Sequence, residues 1–266
     1  MKDDFMAIKS IRRTNLFAQS LLLSFSVALL LGCAKSVRQP DIPGPQESFR
    51  KAMVLYERER YYKAQEILKD MVLNYSGAAI IDSVKLYLGL TYFQMREYLT
   101  AADEFQRLRQ MYPQSPVAGE AQFHLALSYF KLAPAYPLDQ QNTTKALDEF
   151  QRFLEDFENH PLKLEGQKYI EECRDRLAHK TYAASLLYFK VNEYASSVLY
   201  ADAVLDDYYD TQWAGAAQFL KAKCFLALKN EARATEELEK FLTKYPGRKE
   251  EGQVRALLAA LHNRGQ

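Results

Sequence analysis

The chain has 266 residues, 48% hydrophobic and 26% charged, with 35 basic against 34 acidic side chains. That composition excludes wholesale disorder and a multi-span membrane protein. A net charge of +1 gives no electrostatic reason to expect a nucleic-acid partner. With 10 glycines, 9 prolines and 3 cysteines, the chain is neither collagen-like nor a disulfide scaffold, and so few turn residues argue against a many-hairpin β protein.

The N-terminus reads as an address. Lys9, Arg12 and Arg13 precede an almost wholly apolar run, Leu21 to Leu31, too short for a comfortable span. It ends in Leu30-Leu31-Gly32-Cys33, which resembles a bacterial lipobox. Small Gly32 suits the residue before the cut, Leu30 suits the recognition pocket, and Cys33 supplies the thiolate that takes the lipid. Residues 1–32 are therefore expected to be a lipoprotein signal peptide, with Met1 or Met6 as the start. Each buried acyl methylene contributes roughly 0.8 kcal/mol, so several chains on Cys33 would anchor the protein almost permanently. Ala34 rather than Asp follows the cysteine, and by resemblance to enteric lipoproteins this favours the outer membrane. Residues 33–46, rich in proline, are expected to be an extended tether.

The remainder is periodic. Between Lys85 and Pro113 the order Leu88-Gly89, Tyr92, Tyr98, Ala101, Phe105, Leu108, Tyr112-Pro113 resembles the tetratricopeptide repeat. Small Gly89 and Ala101 sit where two helices cross, and large Tyr92 and Phe105 fill the space beside them. The frame recurs around Ala52 and Ala64, Ala126 and Ala146, Ser185 and Ser197, and Ala222 and Ala234. Ser76 to Pro113 and Tyr209 to Pro246 are both steps of 37 positions. The third copy carries an insertion around Ala133-Pro134-Ala135-Tyr136-Pro137, and the first helix of the fourth extends backwards through Gln167–Ala178. Ser115 before Pro116, and Thr211, are expected to cap the helices that follow. The expected fold is all-α, a right-handed α-solenoid over 47–266 with repeats at about 47–76, 79–113, 116–158, 168–209 and 212–246. Residues 248–262 would cover the last apolar face as a C-terminal capping helix.

Catalytic signatures are missing. There is no phosphate-binding glycine loop, and His124, His160, His179 and His262 are not spaced as helical metal ligands. Glu171-Glu172 and Asp206-Asp207 read as solvated helix faces. Cys173 and Cys224 are expected to be thiols rather than a bridge, since helix packing rarely supplies disulfide geometry. No enzyme, cofactor or metal is expected.

The frame also identifies an inner helical stripe. One position holds Phe49, Leu86, Phe123, Tyr182 and Phe219. The next, four residues on, holds Met53, Leu90, Leu127, Leu186 and Lys223. The third holds Tyr56, Phe93, Phe130, Phe189 and Leu226. Two readings stay open: these side chains pack on one another as core, or part of the stripe is a groove for aromatic or apolar peptide segments.

Lipobox, proline-rich tether, five repeats, Lys145 to Phe153 after the insertion, Arg174 to Ala178 and Tyr208 to Thr211 together resemble the BamD family of outer-membrane lipoproteins. Glu158, Tyr209 and Met71 depart from the residues closer members tend to have. The resemblance implies a scaffold without catalysis on the periplasmic face of the outer membrane. It implies that the C-terminal repeats bind the POTRA region of the barrel-forming subunit, with Arg174, Arg176 and Lys190 as the candidate surface here. It also implies that the N-terminal repeats receive unfolded outer-membrane β-barrel proteins through an aromatic C-terminal signal. Phe49, Met53, Tyr56, Leu86, Leu90, Phe93, Phe123, Leu127 and Phe130 are the candidate groove, and other assembly lipoproteins are further expected partners. Another periplasmic repeat lipoprotein, such as a pilotin or a division coordinator, is the alternative.

Overall fold

The structure, a computed structural model, describes residues 43–264. The lipobox residues Leu30, Leu31, Gly32 and Cys33, and most of the tether, lie outside the described residues. Those described hold eleven α-helices and no strand. They pair as α1 (Pro45–Glu57) with α2 (Tyr61–Asn74), α3 (Ile81–Gln94) with α4 (Tyr98–Met111), and α5 (Ala118–Leu132) with α6 (Gln141–Asp156). Then come α7 (Lys163–Lys190) with α8 (Tyr194–Asp207), α9 (Trp213–Ala227) with α10 (Glu231–Lys244), and α11 (Glu251–Arg264) at the end. Each helix packs mainly on its chain neighbours, with α7 also reaching α9, so the fold is an α-solenoid of five tetratricopeptide-like pairs closed by a capping helix. Pro45, expected in the tether, opens α1, where a missing N–H costs nothing.

Helix crossings follow side-chain size. A Cβ on Gly89 would stand 2.6 Å from Cε1 of Phe105, so only glycine lets that fully buried ring lie against α3. In the fourth pair two serines take the place of alanine or glycine. Ser185 Oγ donates to Ser197 O (2.8 Å), Ser197 Oγ donates to Ser185 O (2.9 Å), and the Cys224 thiol donates to Ser197 Oγ. Cys173 and Cys224 are buried free thiols; burial pushes Cys173 up to about 12, which leaves it unreactive.

Four of the five hairpin turns are closed by a left-handed residue that is not glycine: Glu59, Arg96, Asn192 and Lys229, with φ near 60°. At Arg96 the bonds Arg96 N to Phe93 O and Glu97 N to Tyr92 O form a Schellman closure, and the other three repeat it. The third pair lacks this turn because residues 133–140 are inserted there.

Two expected caps are absent. Ser115 Oγ does accept from Val117 N, but Ser115 belongs to a turn before α5, which starts at Ala118 rather than Pro116. The same hydroxyl donates to Asp82 Oδ2 (2.6 Å), 33 residues away. Thr211 Oγ1 donates back to Tyr208 O instead of accepting from α9. A side-chain cap is found at Asn230, which accepts from Arg233 N.

Candidate functional site: the inner helical face

The first helices α1, α3, α5, α7 and α9 carry the apolar stripe, and the structure splits it. Leu86, Leu90, Phe123 and Leu127 are core, each under a tenth exposed. They lie on α3 and α5, which have a repeat on either side to cover them. Phe49, Met53, Tyr56, Phe93 and Phe130 are half-buried, and all but Met53 rest against the core. Of the nine candidate groove residues, these five remain a surface.

That surface includes rings absent from the expected stripe. Tyr87, one position after Leu86, receives Phe49 edge-on at 5.7 Å and Tyr56 edge-on at 5.5 Å. His124 stands 37 positions later in the frame, with Nδ1 3.0 Å from Glu120 O and its ring among Phe93, Phe105 and Phe123. Burial holds its pKa below the ordinary value. Tyr169, on the backward extension of α7, meets Phe130 at 4.9 Å and stacks on Phe150 at 5.1 Å. The sequence signal for Tyr87 and His124 was their matching place in the 37-residue frame; Tyr169 lies in the extension, where no frame applies.

Beyond Phe130 the chemistry changes. The Arg176 guanidinium sits 4.8 Å over Phe130, and Lys223 Nζ sits 4.8 Å over Phe219 and 5.5 Å over Phe189.

The three candidate partner residues have different fates. Arg174 is engaged within the chain: its guanidinium forks onto Asp210 (Nη2–Oδ1 2.6 Å, Nε–Oδ2 3.1 Å) and donates to Asp207 O at 2.8 Å. The hydrogen bond from Arg174 lowers the Asp210 pKa. Arg176 Nη1 points at Ala133 O of the inserted loop, 3.4 Å away. Lys190 is exposed at the end of α7. The inserted loop is further held by a three-ring stack, Tyr136 on His179 (3.5 Å) and His179 on Trp213 (3.8 Å), and by Lys180 Nζ donating to Leu138 O. Beside the stack a cleft of about 860 Å³ is lined by Lys168, Glu171, Glu172, Asp175 and Gln212 among others.

Among the described residues no group of His, Cys, Asp or Glu could hold a metal ion, and no helix is long and apolar enough to cross a membrane. What the inner face offers is aromatic rings and one histidine.

Five stacked helix pairs and a terminal capping helix define a tetratricopeptide-like helical-repeat protein. The model of the YfiO family, described as outer membrane lipoproteins, matches residues 43–238. The chain belongs to that family, which is the BamD family. It is 22% identical to the outer membrane protein assembly factor BamD of Rickettsia prowazekii over 204 residues, 76% of this chain and 81% of the relative. It is 21% identical to BamD of Caulobacter vibrioides over 216 residues, 79% and 69% of the two chains. Among solved structures it is similar to the TPR2AB domain of yeast Sti1 in its pHSP90 complex (TM-score 0.41, 12% identity, 76% and 78% of the two chains). It is also similar to a putative kinesin light chain of Podosopora anserina (TM-score 0.42, 14% identity, 80% and 99%).

Proposed function

We propose that this protein is a non-catalytic outer-membrane lipoprotein, anchored through Cys33 on the periplasmic face, that serves in β-barrel protein assembly. Its α7–α10 half binds the POTRA region of the barrel-forming subunit, and its α1–α5 face receives unfolded barrel proteins. The family match over residues 43–238, together with the two BamD relatives, supports the assembly role. The half-exposed row Phe49, Met53, Tyr56 and Phe93 supports the receiving role, because such rings hold apolar side chains of an extended segment while its backbone stays wet. With Arg174 and Arg176 engaged internally, exposed Lys190 is the partner contact best placed for the second half.

Site-specific photocrosslinking in intact envelopes tests both halves. A crosslinker at Lys190 should capture a barrel subunit with POTRA domains, and one at Met53 should capture barrel proteins still unfolded. A secretin ring at Lys190 would instead identify a pilotin. Absence of labelled palmitate on Cys33 would remove the anchor.

A further inference from the structure

The apolar core breaks partway along α7. Cys173 and Leu177 pack with Phe150 and Phe153 of the third pair, while Tyr182 packs with Ala201, Val204 and Trp213. Residues 178–181, one turn of the helix, belong to neither cluster. The clusters of the second and third pairs share Phe93 and Tyr129, whereas those on the two sides of this turn share no residue. Other contacts bridge the turn. Toward the C-terminal half, Arg174 holds Asp210, Asp175 accepts from Gln212 Nε2 at 2.9 Å, and His179 stacks on Trp213. Trp213 Nε1 is buried without a hydrogen-bond partner, so it is rings that hold the indole, His179 at 3.8 Å and Tyr182 at 5.4 Å. Toward the third pair, Lys180 Nζ donates to Leu138 O at 2.7 Å and His179 stacks on Tyr136 at 3.5 Å. His179 belongs to both sets. The loop that presents Tyr136 is braced from within: buried Gln140 donates through Nε2 to Ala135 O and Leu138 O and accepts from Thr143 Oγ1.

We propose that the inserted loop, residues 133–140, is a strap across this break that sets the angle between the first three helix pairs and the last two. With Tyr136 docked, the third pair grips α7 one turn beyond the end of its own core and reaches Trp213, the first residue of α9, through His179. The grip combines stacked rings with an ammonium on a carbonyl. α6 and α9 each pack on α7 and not on one another. With Tyr136 withdrawn, the two halves are therefore joined through α7 across a turn poor in apolar contacts, where a structure yields most easily. The eight extra residues that break the repeat period thus restore a connection that the regular frame lacks at this point. The strap acts within the chain and stands whatever each half binds.

Double electron–electron resonance on the full chain in detergent micelles tests this, with spin labels on Gln106→Cys in α4 and Glu239→Cys in α10, both exposed. Cys173 and Cys224 are buried, and the chain without added cysteines sets the background. Tyr136→Ala should broaden the distance distribution between the labels. It should also speed hydrogen exchange at the Leu138 amide, bonded to Ala135 O at 3.0 Å, by about tenfold, the scale of one lost ring contact. Tyr136→Phe keeps the ring and should leave both readings unchanged. Lys180→Met, which releases the other tie, should broaden the distribution as well. If Tyr136→Ala speeds exchange while the distribution keeps its width, the loop moves without the halves and the strap is overturned. If neither reading changes, Tyr136 does not hold the loop and the strap is overturned too. A loss of stability to urea at unchanged width would mark the stack as packing alone, with the same consequence. Should Tyr136→Ala lose its helical circular dichroism, His179→Gln carries the same two readings.

Discussion

The two halves of the inner face are built on one repeat frame and have opposite chemistry. In α1 and α3 aromatic rings rest on each other, Phe49 and Tyr56 both edge-on to Tyr87. In α7 and α9 the rings at the same positions are covered by cations, Lys223 over Phe189 and Phe219. The crossings differ in parallel. Gly89 takes Phe105 by shape alone, whereas Ser185 and Ser197 exchange hydrogen bonds. A repeat thus dictates where helices lie, while the residues left free on its surface decide what each half can hold.

The largest expected effect breaks the crossings. Phe105→Ala empties the space under Gly89 and should cost about 3–5 kcal/mol. Ser185→Ala in the other half should cost about 1 kcal/mol, because it removes one net hydrogen bond and leaves no cavity of comparable size. Urea unfolding of both variants measures the difference, and equal losses would refute the contrast between shape and polarity.

A smaller effect concerns pH. Burial keeps His124 neutral in the fold, so its folded pKa lies below the ordinary 6.5. As pH falls through 6.5 the unfolded chain takes up a proton that the native chain refuses, and stability drops by at most about 1.4 kcal/mol per pH unit. At both histidines burial is opposed by carboxylates, Asp175 at His179 and Glu120 and Glu165 at His124, and the deeper burial of His124 should make it dominate. Thermal melts at pH 7.5 and 5.5 should show a shallower drop for His124→Gln than for His179→Gln.

The smallest effect sharpens the turns. Arg96 holds φ at 62°, a conformation glycine adopts freely. Arg96→Gly should stabilise the second hairpin by a few tenths to about 1 kcal/mol. The same change at Lys131, near the end of α5 where no left-handed turn closes the pair, should cost about that much instead. Two melting temperatures moving in the same direction would contradict the turn assignment.

Much of the fold was legible because its cause is local. Gly89, Ala101 and Phe105 announce a crossing through size and spacing alone, and the insertion shows as a broken period. The caps were not legible. A hydroxyl both donates and accepts, and Ser115 chooses Asp82 across 33 residues while Thr211 turns back to Tyr208. The candidate site was half legible. The stripe Phe49, Leu86 and Phe123 shares one frame position, yet Phe49 stays half-exposed and the other two are core, because burial depends on whether another repeat lies in front.

Sequence alone determined the helix pairs, their order and the rings available to line an inner face, since periodicity and side-chain volume act between near neighbours. Tertiary structure decided which rings remain open, that Arg174 is spent on Asp210, and that Tyr87 receives both Phe49 and Tyr56 edge-on. Those outcomes depend on distances between helices that are remote in the chain, and no local pattern encodes them.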